Sequence, residues 1–431
     1  MNPIPFDIYA DLKWRGLIYQ STDAKMQSWL NEKPRTVYVG FDPTADSLHI
    51  GSLLPLQTLR RFQLAGHRPV AIIGGATGMI GDPSGKSAER NLLSEDQLQA
   101  NIEGMRQQMA AMLDFDCGEN SAILVNNYDW MKSFSYIDFL RDVGKNFPVN
   151  VMLAKDSVKS RLGSDAGISY TEFSYMLLQA YDFVHLHQEY GCELQLGGSD
   201  QWGNVTAGID LGRRMLSKQL YGLTLPLLTK ADGSKMGKTE TGTVWLSSDR
   251  TSPYELYQYW IRVDDADVSK CLKYLTDLER GEIEELDGLR EAAAHQRDSQ
   301  KRLAEEITRQ IHGEEGLKAA KYATDVFFGA EINDCSERDL NAIFSDVPSQ
   351  QVSKSLLEGD GLAVYDAFVQ AGLCKSKGEA RRLFAQGGLY VNNHRWADED
   401  ACIKKDHLVT PTTLVLRSGK KKYALLKFEL E

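Results

Sequence analysis

Val37–Gln57 reads VYVGFDPTADSLHIGSLLPLQ. Its apolar start suits a buried strand, and the run from Gly51 suits a helix. A strand that runs through a short polar loop into a helix is the first half of a βαβ unit. Ligands of such sheets bind beyond the carboxyl ends of the strands. A helix N-terminus at that place offers N–H groups and the positive end of a dipole, which suit a phosphate. His49 at the mouth can donate to phosphate oxygens. Gly51 removes the side chain that would keep a flat ring off the helix. Taken alone, the stretch reads equally well as a capped helix with an incidental histidine.

The chain on either side supports the first reading. RTVYVGF, RPVAIIGGATG and SAILVNNY read as strands. GSLLPLQTLRRFQLAG and SEDQLQANIEGMRQQMAAML read as amphipathic helices, the second with Ser94 as its N-cap. The alternation predicts a parallel sheet with helices on both faces. From about 250 to 330 four helices follow without strands. Residues 331–358 read as a connector. The last 70 or so residues open with helix-like LAVYDAFVQAG and basic KSKGEARRLFAQG, and close with strand-like GLYVN, HLVTPTTLVLRS and KKYALLKF.

The totals set limits. A chain of 431 residues has room for two or three domains. Its 42% hydrophobic and 25% charged fractions are those of an ordinary globular protein. It has no apolar run of the roughly 18 residues a membrane span needs. The N-terminal MNPIPFDIYADLKWRG lacks the basic-then-apolar pattern of a secretory signal. Cys117, Cys192, Cys271, Cys335, Cys374 and Cys402 show neither a CxxC pair nor a zinc-ligand spacing. A reducing, cytoplasmic location is expected. Net charge is −11, yet residues 360–431 carry 12 Lys+Arg against 9 Asp+Glu, a net of +3, which leaves −14 for the rest. The sign change suggests a separate partner for the tail.

Four further stretches carry polar groups in chemically useful patterns. GGATGMIGDPSGKSAER follows the second strand, but its spacing is not that of a P-loop; Lys86 and Arg90 remain as cations for a polyphosphate, or as solvated charges on a glycine turn. In YTEFSYMLLQAYDF, Tyr175, Gln179 and Asp182 share one helix face while apolar residues fill the others. Such a stripe on a buried helix is either a small-ligand pocket or an internal hydrogen-bond network. LQLGGSDQWGN brings Asp200 and Gln201 out of a strand past two glycines, which suits a ribose or an ammonium group. KADGSKMGKTETG places Lys235 and Lys238 in a glycine-rich loop that would meet a polyphosphate, or solvent. His185 and His187, two apart on a helix, point to different faces and make a poor metal site.

In this order, His49-Ile50-Gly51-Ser52 and Lys235-Met236-Gly237-Lys238-Thr239 resemble the HIGH-type and KMSKS-type signatures of class I aminoacyl-tRNA synthetases. The surrounding YVGFDPTADSLHIG, GGATGMIGDPS, NNYDW, FSYMLLQAYDF and GGSDQWGN resemble the bacterial tyrosyl-tRNA synthetases, over nearly the whole chain. The resemblance implies an α/β fold: a Rossmann-like parallel-sheet catalytic domain over 1–235, a helical tRNA-contacting domain with the lysine loop over 236–330, a linker over 331–358 and an S4-like α+β RNA-binding domain over 359–431. It implies L-tyrosine, ATP with Mg2+, and tRNA-Tyr as partners, and a homodimer joined through an aromatic segment at about 128–165. No metal ligand in the chain is implied. Tyr38, Asp182 and Asn127 would meet the substrate phenol hydroxyl. Tyr175, Asp82 and Gln179 would hold its amino group, and Gln201 would approach its carboxylate. Thr44 and His49 would bond the γ-phosphate. Asp42, Gly51, Ser52 and Asp200 would complete the ATP site, although Ser52 stands where the signature has a second histidine. Lys86, Arg90, Lys235, Lys238 and Thr239 would surround the departing pyrophosphate.

Overall fold

The computed structural model describes residues 4–84, 94–163, 167–239, 242–332, 335–344, 347–419 and 422–429. The strands are β1 (Gln20–Ser21), β2 (Thr36–Phe41), β3 (Arg68–Ile73), β4 (Ile123–Asn126), β5 (Cys192–Gly198) and β6 (Tyr221–Leu225), followed by β7 (Lys238–Thr239) and β8 (Gly242–Thr243). They continue with β9 (Ser349–Val352), β10 (Leu362–Ala363), β11 (Leu389–Val391), β12 (His394–Arg395), β13 (Cys402–Ile403), β14 (Thr413–Ser418) and β15 (Lys422–Phe428). The chain divides into two units, one of residues 1–251 with 260–311, the other of residues 252–259 with 312–431.

The first unit is built on a six-stranded sheet of order β1-β6-β5-β2-β3-β4. All pairings are parallel except β1 with β6. Successive side chains of β2 point to opposite faces, and Val37, Tyr38 and Val39 are all buried. The sheet is therefore covered on both faces, as parallel sheets are. Helix Ile50–Leu64 packs along β2 and β3. Helix Tyr170–Tyr190 places Phe183 and Leu186 against Tyr38, Val70 and Ile72. After β2 the chain moves outward through β3 and β4, and then returns to lay β5 on the other side of β2. That reversal makes the carboxyl ends of β2 and β5 the topological switch point, where a crevice must open.

The sheet's βα alternation was expected; β1 and β6 carried no separate sequence signal. Ser94 caps helix Glu95–Met112 as expected, its Oγ accepting from Gln97 N–H. The four helices expected between about 250 and 330 are Pro253–Ile261, Asp265–Leu275, Arg280–Ala293 and Asp298–Phe327, the last broken at Gly313, where φ is +70°. Gly313 is one residue past His312, where the second unit resumes.

The second unit holds a five-stranded sheet of order β12-β11-β14-β15-β9. One cluster packs Phe368, Leu389, Leu414 and Leu426; another packs Val326, Phe344, Val415, Tyr423 and Leu425. Neighbouring residues of β14 and β15 thus serve two cores, one per face. Residues 331–358 are more than a connector: they form helix Glu337–Ile343, and β9, which pairs parallel with β15. Polar SQQV gave no strand signal because only Val352 is even partly buried.

Candidate active site

The switch-point crevice is a cavity of about 540 Å³, lined by Tyr38, Asp42, Thr44, His49, Gly51, Ser52, Asp82, Asn127, Tyr175, Gln179, Asp182, Asp200, Gln201, Lys235 and Lys238 among others. Stretches that are distant in sequence therefore meet at one place. Lys86 and Arg90 lie outside the described residues, as does the side chain of Thr239.

At the closed end, Asp182 is buried on helix Tyr170–Tyr190. Its Oδ2 accepts from Asn127 Nδ2 at 3.0 Å and its Oδ1 from Trp130 Nε1 at 2.9 Å. Asn127 is itself fixed, its Oδ1 accepting from Ala76 N–H at 2.7 Å and its Nδ2 donating to Thr77 Oγ1 at 3.0 Å. Burial pushes the Asp182 carboxyl up to about 7 against the pull of those two donors. The Tyr38 hydroxyl, from β2, is buried without a hydrogen-bond partner, and burial together with the nearby Asp182 charge drives its pKa well above 10. A buried polar atom left unpaired is costly.

Nearer the mouth is a second polar group of side chains. Tyr175 Oη donates to Asp42 Oδ2 at 3.0 Å, and Thr77 Oγ1 donates to Asp42 Oδ1 at 2.7 Å. Gln201 Nε2 donates to Asp82 Oδ2 at 2.7 Å, while Gln201 Oε1 accepts from Gln179 at 3.3 Å and Asn204 at 3.1 Å. The partner of Tyr175 is thus Asp42; Asp82 is held by Gln201. Glycines make this crowding feasible. A Cβ on Gly74 would stand 2.2 Å from Asp42 Oδ1, and one on Gly198 would stand 2.6 Å from Asp200 Oδ1. Burial, then the Asp82 charge, raises the Asp200 carboxyl.

At the helix mouth His49 is the N-cap residue, with extended backbone. A Cβ on Gly51 would lie 2.8 Å from His49 Cε1. The flat ring that Gly51 admits in this structure is the imidazole of His49. The open row of N–H donors expected there is partly used: Ile50 N–H donates to Val244 O at 3.2 Å and Ser52 N–H to His49 O at 2.8 Å. Thr44 N–H turns back to Asp42 O at 2.8 Å. Lys235 and Lys238 are exposed at the rim. Thr77, Trp130 and Gln195 belong to the site, by lining or by hydrogen bond, and were not singled out in the sequence. NNYDW did contain Trp130, but a single indole donor has no pattern to be read from.

A family model described as tRNA synthetases class I (W and Y) matches residues 30–329, and one for the tyrosine–tRNA ligase SYY-like C-terminal domain matches residues 339–426. The chain is 59% identical to the tyrosine–tRNA ligase of Rhodopirellula baltica, over 97% of this chain and 96% of that one. The chain belongs to the tyrosine–tRNA ligase family of class I synthetases. A second member of the family, tyrosine–tRNA ligase 1 of Bacillus subtilis, is 49% identical over 98% of this chain and 100% of its own. Among solved structures, a C-terminally truncated mitochondrial tyrosyl-tRNA synthetase of Aspergillus nidulans superposes with a TM-score of 0.66 at 30% identity, covering 74% of this chain and 93% of that one. The tyrosyl-tRNA synthetase of Archaeoglobus fulgidus, solved with L-tyrosine, shares the fold at a TM-score of 0.54 and 17% identity, covering 72% of this chain and 100% of that one.

Proposed function

We propose that the chain activates L-tyrosine with ATP and then passes the tyrosyl group to the 3′ end of tRNA-Tyr. The observation that carries this reading is the buried pair at the closed end of the cavity, an unpartnered Tyr38 hydroxyl near the Asp182 carboxylate. A phenol hydroxyl placed between them donates to Asp182 and pairs with Tyr38. An indole has no hydroxyl to satisfy both.

The remaining side chains then take consistent roles. With its hydroxyl proton on Asp42, Tyr175 keeps lone pairs to accept from the substrate ammonium, beside Gln179 and Asp82. Gln201 approaches the carboxylate and Asp200 the ribose. Ser52, shorter than the histidine of the signature, reaches the ribose side of the nucleotide. In the first step a carboxylate oxygen of tyrosine attacks the α-phosphorus of ATP. The bond from that phosphorus to the bridging oxygen breaks, and pyrophosphate leaves with the electron pair. No side chain becomes a nucleophile, so the protein acts by positioning and charge stabilisation. Thr44 and His49 meet the γ-phosphate, and Lys235 and Lys238, with Lys86, Arg90 and Thr239, surround the pyrophosphate. In the second step the terminal ribose hydroxyl of tRNA attacks the carbonyl of the adenylate, loses its proton and releases AMP.

Asp42 and Asp82 are each engaged by neighbouring side chains or backbone. Magnesium is therefore assigned to the phosphates of the nucleotide, whose charge it would neutralise, rather than to a cage in the protein. The exposed Tyr136, Ile137, Val149, Val151 and Tyr170 support a homodimer through the aromatic segment. The reaction is placed in the cytoplasm. Tyrosine-dependent ATP–pyrophosphate exchange by the purified protein tests the reading; exchange that proceeds equally with tryptophan, or not at all, would overturn it.

A further inference from the structure

Lys235 and Lys238 stand at the rim on a segment with little core of its own. Leu228–Met236 is a small hairpin: Met236 N–H donates to Leu228 O at 3.1 Å, Thr229 bridges Lys235, and Lys230 N–H donates to Ser234 O at 2.8 Å. Residues 231–235 are all exposed. Two contacts tie the base of this hairpin to successive residues of one helix, Asp265–Leu275. Lys270 Nζ donates to Thr229 O, and Cys271 Sγ lies 3.6 Å from Met236 Sδ, with both sulfurs buried. Lys270 also pairs at 3.3 Å with Asp267, one turn earlier and almost wholly buried.

That helix is in turn fixed to the helix that carries the His49 mouth. Arg61, on Ile50–Leu64, donates to Tyr274 O at 2.8 Å and to Thr276 O at 2.5 Å. Arg15 donates to Lys273 O at 3.0 Å and Leu278 O at 2.9 Å. Two guanidinium groups thus take up carbonyls of the last turn and of the residues just past it, at a helix C-terminus, where cations are favoured. Gly237 closes the circuit: its φ is +83°, and a Cβ there would lie 3.0 Å from Ile50 Cβ. The hairpin and the His49 mouth are therefore referenced to one body.

We propose that Lys270 is a positioning residue for adenylate formation, holding Thr229 so that Lys235 and Lys238 stand where pyrophosphate departs. This rests on the functional reading above. A lysine suits the place because one ammonium serves both the hairpin carbonyl and the buried Asp267 carboxylate, which a neutral side chain would leave unpaired.

The test removes both charges together. Lys270→Met/Asp267→Asn should keep the wild-type melting temperature and tyrosine Kd, yet form adenylate about tenfold more slowly in single-turnover kinetics with saturating tyrosine and ATP. Combined with Lys235→Ala, the loss should be less than the product of the separate losses, since part of the effect of Lys270 acts through Lys235. Lys270→Gln/Asp267→Asn keeps an N–H donor for Thr229 without leaving a buried carboxylate unpaired and should recover part of the rate; it also serves if the first double variant does not fold. A rate within twofold of wild type, full multiplicativity with Lys235→Ala, no recovery by Lys270→Gln/Asp267→Asn, or a loss of tyrosine affinity that matches the loss of rate would overturn the proposal. Absence of tyrosine-dependent exchange in the wild-type protein would instead overturn the functional reading.

Discussion

Asp182 shows how a single residue's surroundings set its chemistry. Burial raises its carboxyl to about 7, above the roughly 3.9 of an unfolded aspartate. Between those values the folded chain binds more protons than the unfolded one, so this group's contribution to stability falls as pH rises through about 4 to 7. The ionised acceptor, by contrast, is present only above about 7. Tyrosine kcat/KM in pyrophosphate exchange should therefore fall on the acid side with an apparent pKa near 7, and that limb should vanish in Asp182→Asn. The same limb in Asp182→Asn would assign it to another group. Gly51 gives a second prediction at this scale. Gly51→Ala places a methyl against the His49 ring, and should slow adenylate formation tenfold or more while tyrosine binding, measured by equilibrium fluorescence, stays unchanged. The stripe Tyr175, Gln179, Asp182 was legible because helical spacing alone put it on one face. Thr77 and Trp130 were not, since their parts are set by a tertiary contact with Asn127 or Asp182.

Among the elements, β2, β3, β4 and the helices Ile50–Leu64 and Glu95–Met112 were legible because each carries its own hydrophobic period, and β9 was not, because its partner is supplied from about 75 residues later. Small helices near 128–165 depend on one another in a different way. Arg161, on helix Asp156–Leu162, makes two 2.8 Å bonds to Glu172 near the start of helix Tyr170–Tyr190, and both side chains are about 3% exposed. Removing one partner leaves a buried charge, which costs about 3–5 kcal/mol. Glu172→Ala should lower the denaturant midpoint accordingly, whereas Arg161→Met/Glu172→Leu should recover most of the loss. A Glu172→Ala protein as stable as wild type would show that the pair is not holding the two helices together. The lysine-bearing segment is tested by Lys238→Ala, expected to lose roughly 2–4 kcal/mol of transition-state stabilisation in single-turnover adenylation, with tyrosine affinity unaltered because the contact forms only as charge develops.

For the molecule as a whole, the proposed function assigns the two steps of the reaction to the two sides of the charge division read from the sequence. Lys375, Arg381 and Arg382 lie in the positively charged tail, and Lys375 and Arg382 are exposed. Lys377 is paired with Asp366 at 2.7 Å and Arg381 stands over the Tyr365 ring. Phosphate contacts from such groups weaken steeply with salt. Lys375→Glu/Arg382→Glu should therefore lower charging of tRNA-Tyr and flatten its salt dependence, and leave pyrophosphate exchange intact. A cut near Ser355, which the connector reading would suggest, is a poorer experiment because it removes β15 from beside β9. Truncation would then confound unfolding with loss of RNA binding. The choice of tyrosine rests on the buried pair at the closed end, Tyr38 and Asp182. With phenylalanine in place of tyrosine the Tyr38 hydroxyl stays unpaired, at about 1–3 kcal/mol, and the Asp182 carboxylate keeps only Asn127 and Trp130 as donors and loses the phenol. The most direct measurement is the tyrosine-to-phenylalanine ratio of kcat/KM in pyrophosphate exchange, for wild type and for Asp182→Ala. A strong preference for tyrosine that falls by at least tenfold in the variant is the predicted result; an unchanged ratio would contradict the assignment of Asp182 as the group that reads the hydroxyl.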